Sequence, residues 1–211
     1  MEYQTYMLLY VDSHYASPYA MSVFVALHEK AASFQMETVD LVAGQNKDGA
    51  YAEASLTQRV PTLVDGEFAL SESSAIVEYL DEILPAAALY PSEPKARARA
   101  RQVQAWLRSD LDPIRAERPT EVVFYGQHYK PLSPEAEVAA DKLFAAASSL
   151  LAGHHRNLFD NWCIADLDLA LMLNRLVMHG DPVPKNLEIY AQRQWERPSV
   201  QLWVELERPP L

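Results

Sequence analysis

The sequence changes grammar once, near Leu84, and that change bounds what the chain can fold into. Before it, short apolar runs of strand length alternate with amphipathic stretches; after it, the apolar residues keep helical spacing almost to the end. Tyr6–Val11 (YMLLYV) is a continuous apolar run suited to a buried strand. Pro18–Lys30 places Ala20, Val23, Ala26 and Leu27 at helical intervals, and Phe34–Leu41 alternates as a second strand. Pro61–Val64 and Glu67–Leu70 read as short strands joined by Asp65-Gly66, a two-residue hairpin signal. Ser71–Leu84 carries Ala75, Ile76, Tyr79 and Leu80 on one helical face. The order β-α-β-(α)-β-β-α predicts a small mixed sheet with helices on its faces.

The stretch from Leu84-Pro85 to Pro91-Ser92-Glu93-Pro94 is proline-spaced and reads as a linker. Beyond it, Lys95–Asp110 is a long helix with Val103, Trp106 and Leu107 apolar and Arg97, Arg99 and Arg101 exposed. Ser133-Pro134-Glu135-Ala136-Glu137 supplies a cap, a first-position proline and first-turn acid, starting a helix that runs to about Leu151. Asp166–His179 is apolar nearly all round, as a core helix is, and Gly180, Pro182 and Pro184 stop it. Ala191–Leu206 reads as a last helix broken by Pro198. The expected organisation is an α/β domain over residues 1–84, a linker over 85–94 and an all-helical domain over 95–211.

Charge and cysteine content narrow the function classes. The 211 residues carry a net charge of −11, which repels phosphate backbones and anionic lipid, so neither nucleic acid nor a membrane surface is expected as a partner. No apolar run reaches bilayer length, and the N-terminus, with Glu2 and Asp12 and no basic region, does not read as a signal peptide. A cytoplasmic, reducing location is the expectation. Cys163 is the single cysteine, so an internal disulfide is excluded. The six histidines show no metal-pair spacing, His154-His155 reads as a loop, and no metal is predicted.

Three short stretches carry candidate chemistry. Ser17-Pro18-Tyr19-Ala20 lies between a buried strand and a helix, where thioredoxin-like proteins keep Cys-x-x-Cys and glutaredoxins read Cys-Pro-Tyr-Cys. A hydroxyl does no thiol–disulfide exchange, so Ser17 either caps the helix or aims its hydroxyl at a bound thiolate from the helix N-terminus. Val60-Pro61 is either a proline at a strand start or a cis-proline turning the Val60 backbone toward an extended ligand. Leu70-Ser71-Glu72-Ser73-Ser74-Ala75-Ile76 is either a capping arrangement on Ser71 or Ser73, or a carboxylate site with Glu72 ready for an ammonium.

Taken in order, these stretches resemble the cytosolic glutathione transferase superfamily, and Asn161-Trp162-Cys163-Ile164-Ala165-Asp166-Leu167-Asp168 is similar to its Ser/Thr-x-Ala-Asp capping box. The resemblance spans nearly the whole chain. It looks closest to bacterial serine-type enzymes near the theta and zeta classes, in the Ser-Pro-Tyr subgroup. It implies a thioredoxin-like first domain and an all-α second one. It implies that Ser17 holds the glutathione sulfur as a thiolate, that Val60 with a cis Pro61 holds the cysteinyl backbone, and that Glu72 and Ser73 hold the γ-glutamyl end. For the glycyl end, the family's histidine is replaced in Gly44-Gln45-Asn46, leaving Asn46, with Lys47 or Gln58, as the contact. The electrophile pocket, implied to lie between the domains, has His14, Tyr15, Trp106 and Arg115 as candidates. Trp106 suits the core better than the pocket, and Arg115 and Arg118 suit a surface or interdomain ion pair better than a ligand contact. Cys163 reads as a buried core residue, with a catalytic thiol as the alternative. The implied activity is glutathione transfer to a small electrophile, in detoxification, with peroxidase activity on the same thiolate. Alternatives are a zeta-like isomerase and a non-catalytic interaction protein of the same fold. A homodimer is implied.

Overall fold

The computed structural model describes residues 7–153 and 156–211. Tyr6, at the start of the first expected strand, and the His154-His155 loop lie outside the described residues. The chain divides into two compact units: residues up to Leu89 together with Leu202–Leu211, and Tyr90–Gln201.

The first unit is built on a four-stranded mixed sheet, ordered β2-β1-β3-β4, from β1 (Met7–Asp12), β2 (Phe34–Val39), β3 (Thr62–Asp65) and β4 (Phe68–Ser71). β1 runs parallel to β2 and antiparallel to β3, and β3 runs antiparallel to β4. Alternation places Met7, Leu9 and Val11 on a fully covered face. On that side α1 (Pro18–Glu29) packs against β1 and against α3 (Ser73–Ile83). Eight consecutive α1 residues, Ala20 to Leu27, are buried, so this helix is core on every side. On the other face Tyr10 meets the ring of Tyr51 edge-on at 5.2 Å; Tyr51 belongs to α2 (Gly49–Ala54), which follows a 3-10 turn at Gln45–Lys47. Lys30, buried just beyond α1, pairs with Asp81 at 2.9 Å and donates to the Leu84 carbonyl, tying the ends of α1 and α3 together.

Two boundaries differ from the sequence expectation. The hairpin loop is Gly66-Glu67, because Asp65 pairs with Phe68; Gly66, at φ +61°, supplies the left-handed first position that the tight turn needs. Leu202–Leu211, expected in the helical domain, groups with the first unit. There Trp203 packs on Phe24 at 5.1 Å and on Tyr15 at 6.0 Å.

The second unit is helical: α4 (Pro94–Ser109), α5 (Asp112–Glu117), α6 (Thr120–Tyr125), α7 (Pro134–Leu150), α8 (Ile164–Val177) and α9 (Lys185–Trp195). The chain then passes through α10 (Pro198–Val204). Six-residue α5 and α6 were not expected. α5 has Pro113 in its first turn and α6 follows Pro119, and neither is long enough to show a helical period. α8 begins two residues earlier than expected because Cys163 caps it, and α9 begins at Lys185, six residues before the expected last helix. Among the described residues no helix is long and apolar enough to cross a membrane.

Candidate functional site

Strand polarity gathers the three candidate stretches at one edge. Tyr10 of β1 lies opposite Glu37 of β2 and Thr62 of β3, and Thr62 lies opposite Ser71 of β4. That row marks the C-terminal ends of β1, β2 and β4 and the N-terminal end of β3. The loop carrying Ser17 leaves β1 there, Val60-Pro61 enters β3 there, and Glu72 and Ser73 follow β4 there. This edge is where α/β sheets hold ligands.

Ser17 is the N-cap of α1, its hydroxyl accepting from the Ala20 amide at 3.2 Å, with Pro18 at the first helical position. The two readings of Ser17 are therefore compatible. A hydroxyl has two acceptor lone pairs and one proton, and the cap uses only an acceptor. The proton stays available to a ligand sulfur, and Ser17 is half-buried rather than sealed.

The Val60–Pro61 bond is cis. Val60 precedes the β3 registers, which begin at Thr62. A polar cluster fixes the turn in front of it. The Arg59 carbonyl accepts from the Tyr51 hydroxyl at 2.7 Å, and Thr62 Oγ1 donates to Ser55 Oγ at 2.9 Å. Nothing in the sequence pointed to this cluster, since its members are spread over residues 51–62.

At the start of α3 the capping alternative is not what forms. Ser71 is the last residue of β4 and Ser73 the first of the helix; the N-cap is Glu72, whose side chain makes no cap hydrogen bond. Glu72 is exposed and sits at φ +75°, ψ 107°, a backbone position costing a non-glycine residue about 1–3 kcal/mol. Ser73 is buried, and among the described residues its hydroxyl takes no hydrogen bond. The first turn of α3 thus presents free amides, an unspent hydroxyl and an exposed carboxylate together.

The other candidates divide by surroundings. Asn46 donates to the Gln58 carbonyl at 2.8 Å, joining the loop after β2 to the segment before Val60, so one amide hydrogen is committed. Lys47 is exposed and has no ion pair among the described residues. His14 lies beside Ser13, Nδ1 to Oγ 3.4 Å, and Tyr15 stands on Trp203.

Trp106 and Arg115 belong to the helical unit. The Trp106 indole donates to Asp110 at 2.9 Å and lines a groove of about 360 Å³ between α4 and α7, with Arg99, Val103 and Lys142. Hydrogen bonds from Lys142 and from the Leu111 amide hold the Asp110 carboxyl down to about 2. Arg115 donates to the Leu107 carbonyl at 2.6 Å and pairs with Asp112, closing the turn from α4 into α5. Arg118 is not at the surface. It is fully buried, gripping Asp181 through Nε at 2.6 Å and Nη2 at 2.7 Å while Nη1 donates to the Glu117 and Lys130 carbonyls, so the buried charge is paired and its donors are satisfied.

Cys163 is sealed in the capping box of α8. Its amide donates to Asp166 at 2.9 Å, and Asp166 also accepts from the Leu158 amide at 2.7 Å and the Tyr190 hydroxyl at 2.8 Å. Burial, then the neighbouring Asp166 charge, push the thiol well above its ordinary value. A thiol so held stays protonated, which suits packing and not nucleophilic chemistry. Among the described residues no group of three or more His, Cys, Asp or Glu is placed to hold a metal.

The sequence reading missed Asp12 and Arg208. The Asp12 carboxylate accepts from the Ala16 amide at 2.8 Å and the Ser17 amide at 2.9 Å. An acid at a strand end just before a capped helix could have signalled Asp12. No local pattern signals Arg208, which reaches Tyr15 from 193 positions away.

Comparison with known proteins agrees with this architecture. A model of the glutathione S-transferase N-terminal domain matches residues 16–83, and one of the C-terminal domain matches residues 93–208. Human glutathione S-transferase theta-1 is 30% identical over 174 residues, 76% of this chain and 72% of that protein. A probable maleylacetoacetate isomerase of Caenorhabditis elegans is 30% identical over 182 residues, 82% of each chain. The crystal structure of a glutathione transferase homolog from Burkholderia, with bound glutathione, superposes with a TM-score of 0.77 at 46% identity, covering 95% of this chain and 97% of that one. With family models matching both halves and curated relatives at this identity and coverage, the chain belongs to the glutathione S-transferase family.

Proposed function

We infer that this chain is a glutathione transferase whose site is the sheet edge carrying Ser17, Val60, Pro61, Glu72 and Ser73. The observation that carries the reading is the first turn of α3. Glu72 holds a costly backbone position with its carboxylate exposed, beside a Ser73 hydroxyl and helix amides that the chain leaves unspent. An α-amino acid group complements that arrangement: its carboxylate takes the amides and Ser73, and its ammonium takes Glu72. Glutathione bears this group at its γ-glutamyl end, and the glutathione-bound Burkholderia relative supports the assignment. Val60 then meets the cysteinyl backbone as a one-residue strand addition, and Asn46 and Lys47 take the glycyl carboxylate.

In this reading the Ser17 hydroxyl donates to the cysteinyl sulfur. A free thiol of pKa about 8.5 is only a few per cent ionised at neutral pH. Lowering it by about two units needs roughly 2.7 kcal/mol, within reach of one charge-assisted hydrogen bond at a helix N-terminus. The thiol proton leaves to solvent, the sulfur lone pair forms a bond to an electrophilic carbon, and the leaving group departs with the electrons of its own bond. His14 and Tyr15 of the first unit are the proposed electrophile contacts. The same thiolate serves peroxide reduction. It also serves reversible addition in cis–trans isomerisation, a second reading favoured by the C. elegans relative. We also take the protein as a cytoplasmic homodimer.

The test is turnover of glutathione with a chloro-dinitrobenzene, cumene hydroperoxide and maleylacetoacetate by wild type and Ser17→Ala. Turnover of at least one by the wild type, lost in the variant, supports the reading. If the wild type neither turns over nor binds glutathione, the fold serves as an interaction protein instead.

A further inference from the structure

The loop that delivers Ser17 is held from both sides. Three successive amides donate to Asp12: Tyr15 to its carbonyl at 3.0 Å, Ala16 to Oδ2 at 2.8 Å and Ser17 to Oδ1 at 2.9 Å. Asp12 is itself buried at the end of β1, so its carboxylate is fixed by the sheet. The next constraint comes from the far end of the chain. Arg208 donates to the Tyr15 carbonyl through Nε and Nη2, both at 3.3 Å. The same guanidinium donates to the carbonyls of Trp203 at 2.9 Å, Val204 at 2.8 Å and Leu206 at 3.0 Å, so it is locked to the end of α10. Trp203 adds packing against Tyr15, its buried indole nitrogen has no hydrogen-bond partner among the described residues, and Arg208 supplies a polar tie between tail and loop.

Between these two grips Tyr15 sits at φ +49°, two residues before Ser17. A non-glycine residue in that region is strained and persists only where its surroundings over-determine it. α1 alone does not demand such a conformation, since Ser17 caps it from an ordinary extended backbone at φ −71°. What the grips fix is the path of the chain into Ser17.

We propose that Asp12 and Arg208 are positioning residues for the Ser17 hydroxyl, making the C-terminal tail part of the glutathione-activating machinery. This rests on the transferase reading above. Neither residue acts on the sulfur. Each acts through the backbone: Asp12 sets the Ser17 amide, and Arg208 sets the strained residue that aims it. Misplacement of a reacting group by about 1 Å costs on the order of a hundredfold in rate, so a modest slackening of the loop is measurable.

The test compares wild type with Asp12→Ala, Asp12→Asn, Arg208→Gln and Arg208→Lys. Three quantities are read: turnover with glutathione and a chloro-dinitrobenzene, the thiol pKa of bound glutathione from thiolate absorbance against pH, and the affinity for S-methylglutathione. The last probe keeps every peptide contact and lacks the ionisable thiol, so it reports an intact site independently of Ser17's role. The expected result is a bound-thiol pKa raised by about one unit and kcat lowered about tenfold in Asp12→Ala and Arg208→Gln. S-methylglutathione affinity stays within about threefold, and Arg208→Lys and Asp12→Asn recover part of the loss because each keeps one hydrogen bond. If Asp12→Ala does not fold, the Arg208 pair carries the test alone. Wild-type pKa and kcat in Arg208→Gln and Asp12→Asn, with glutathione still bound, would overturn the brace and leave the transferase reading standing. A wild type that binds glutathione without lowering its thiol pKa would overturn both.

Discussion

The sheet edge and the start of α8 are built from the same parts and spend them differently. Each presents helix amides, a small capping side chain and a carboxylate. At α8 everything is consumed. Asp166 accepts from two amides and a hydroxyl, is fully buried, and leaves Cys163 nothing to do but pack. At α3 the equivalent groups are held open: Glu72 faces solvent on a strained backbone, and the Ser73 hydroxyl has no partner within the described chain. The start of α1 lies between these extremes, with its acceptor side used by the cap and its hydroxyl proton unspent. A satisfied polar cluster holds a fold together, whereas an unsatisfied one at an exposed edge is free to take a ligand.

The contrast breaks most visibly at Asp166. Asp166→Ala leaves two amides and the Tyr190 hydroxyl buried without partners, and is expected to cost about 3–5 kcal/mol in denaturant unfolding. Protein that still folds should keep wild-type kcat. Next in size, Ser17→Ala is expected to lower turnover about a hundredfold, matching the two units of thiol pKa assigned to it, while costing only about 1 kcal/mol of stability as a lost cap. If instead the Ser17 variant lost stability and kept turnover, Ser17 would belong with Asp166 on the structural side. Glu72→Gly sharpens the comparison from the other direction. Glycine tolerates φ +75°, so the variant should be more stable by about 0.5–1 kcal/mol. Glutathione affinity should fall about tenfold with the lost ammonium partner.

The smallest effect is a pH dependence in the helical unit. Hydrogen bonds from the Ser133 hydroxyl at 2.6 Å and amide at 2.8 Å lower the Glu117 pKa. A lowered folded-state value means the carboxylate favours the folded state at pH above its ordinary range, and this contribution is lost as pH falls through the folded value. Amide exchange at the first turn of α7 should therefore quicken below about pH 4.5, and Glu117→Gln should flatten that dependence.

What was legible in the sequence was local. Ser17-Pro18 and Ser133-Pro134 announce helix starts within four residues, and both helices begin at those prolines. The three stretches at the sheet edge were readable in order, because each precedes or follows a strand whose alternation could be seen. The hairpin was readable but slipped by one residue, since Asp65-Gly66 and Gly66-Glu67 both place a glycine in the turn. The strain at Glu72 was invisible, because nothing in Leu70-Ser71-Glu72-Ser73 distinguishes a glutamate at positive φ from one in a helix. Arg118, Asp181 and Arg208 were unreadable for a different reason. Their partners lie 63 and 193 positions away, and only the folded chain brings them together. Short α5 and α6 fell below the length at which periodicity exists.

The central claim is that the sheet edge holds a glutathione thiolate through Ser17. It is tested most directly by titrating the thiolate absorbance of bound glutathione against pH in wild type and Ser17→Ala. The account predicts a bound-thiol pKa lowered by about two units in the wild type and returned to near 8.5 in the variant, with glutathione bound in both. A lowered value that survives Ser17→Ala would contradict it.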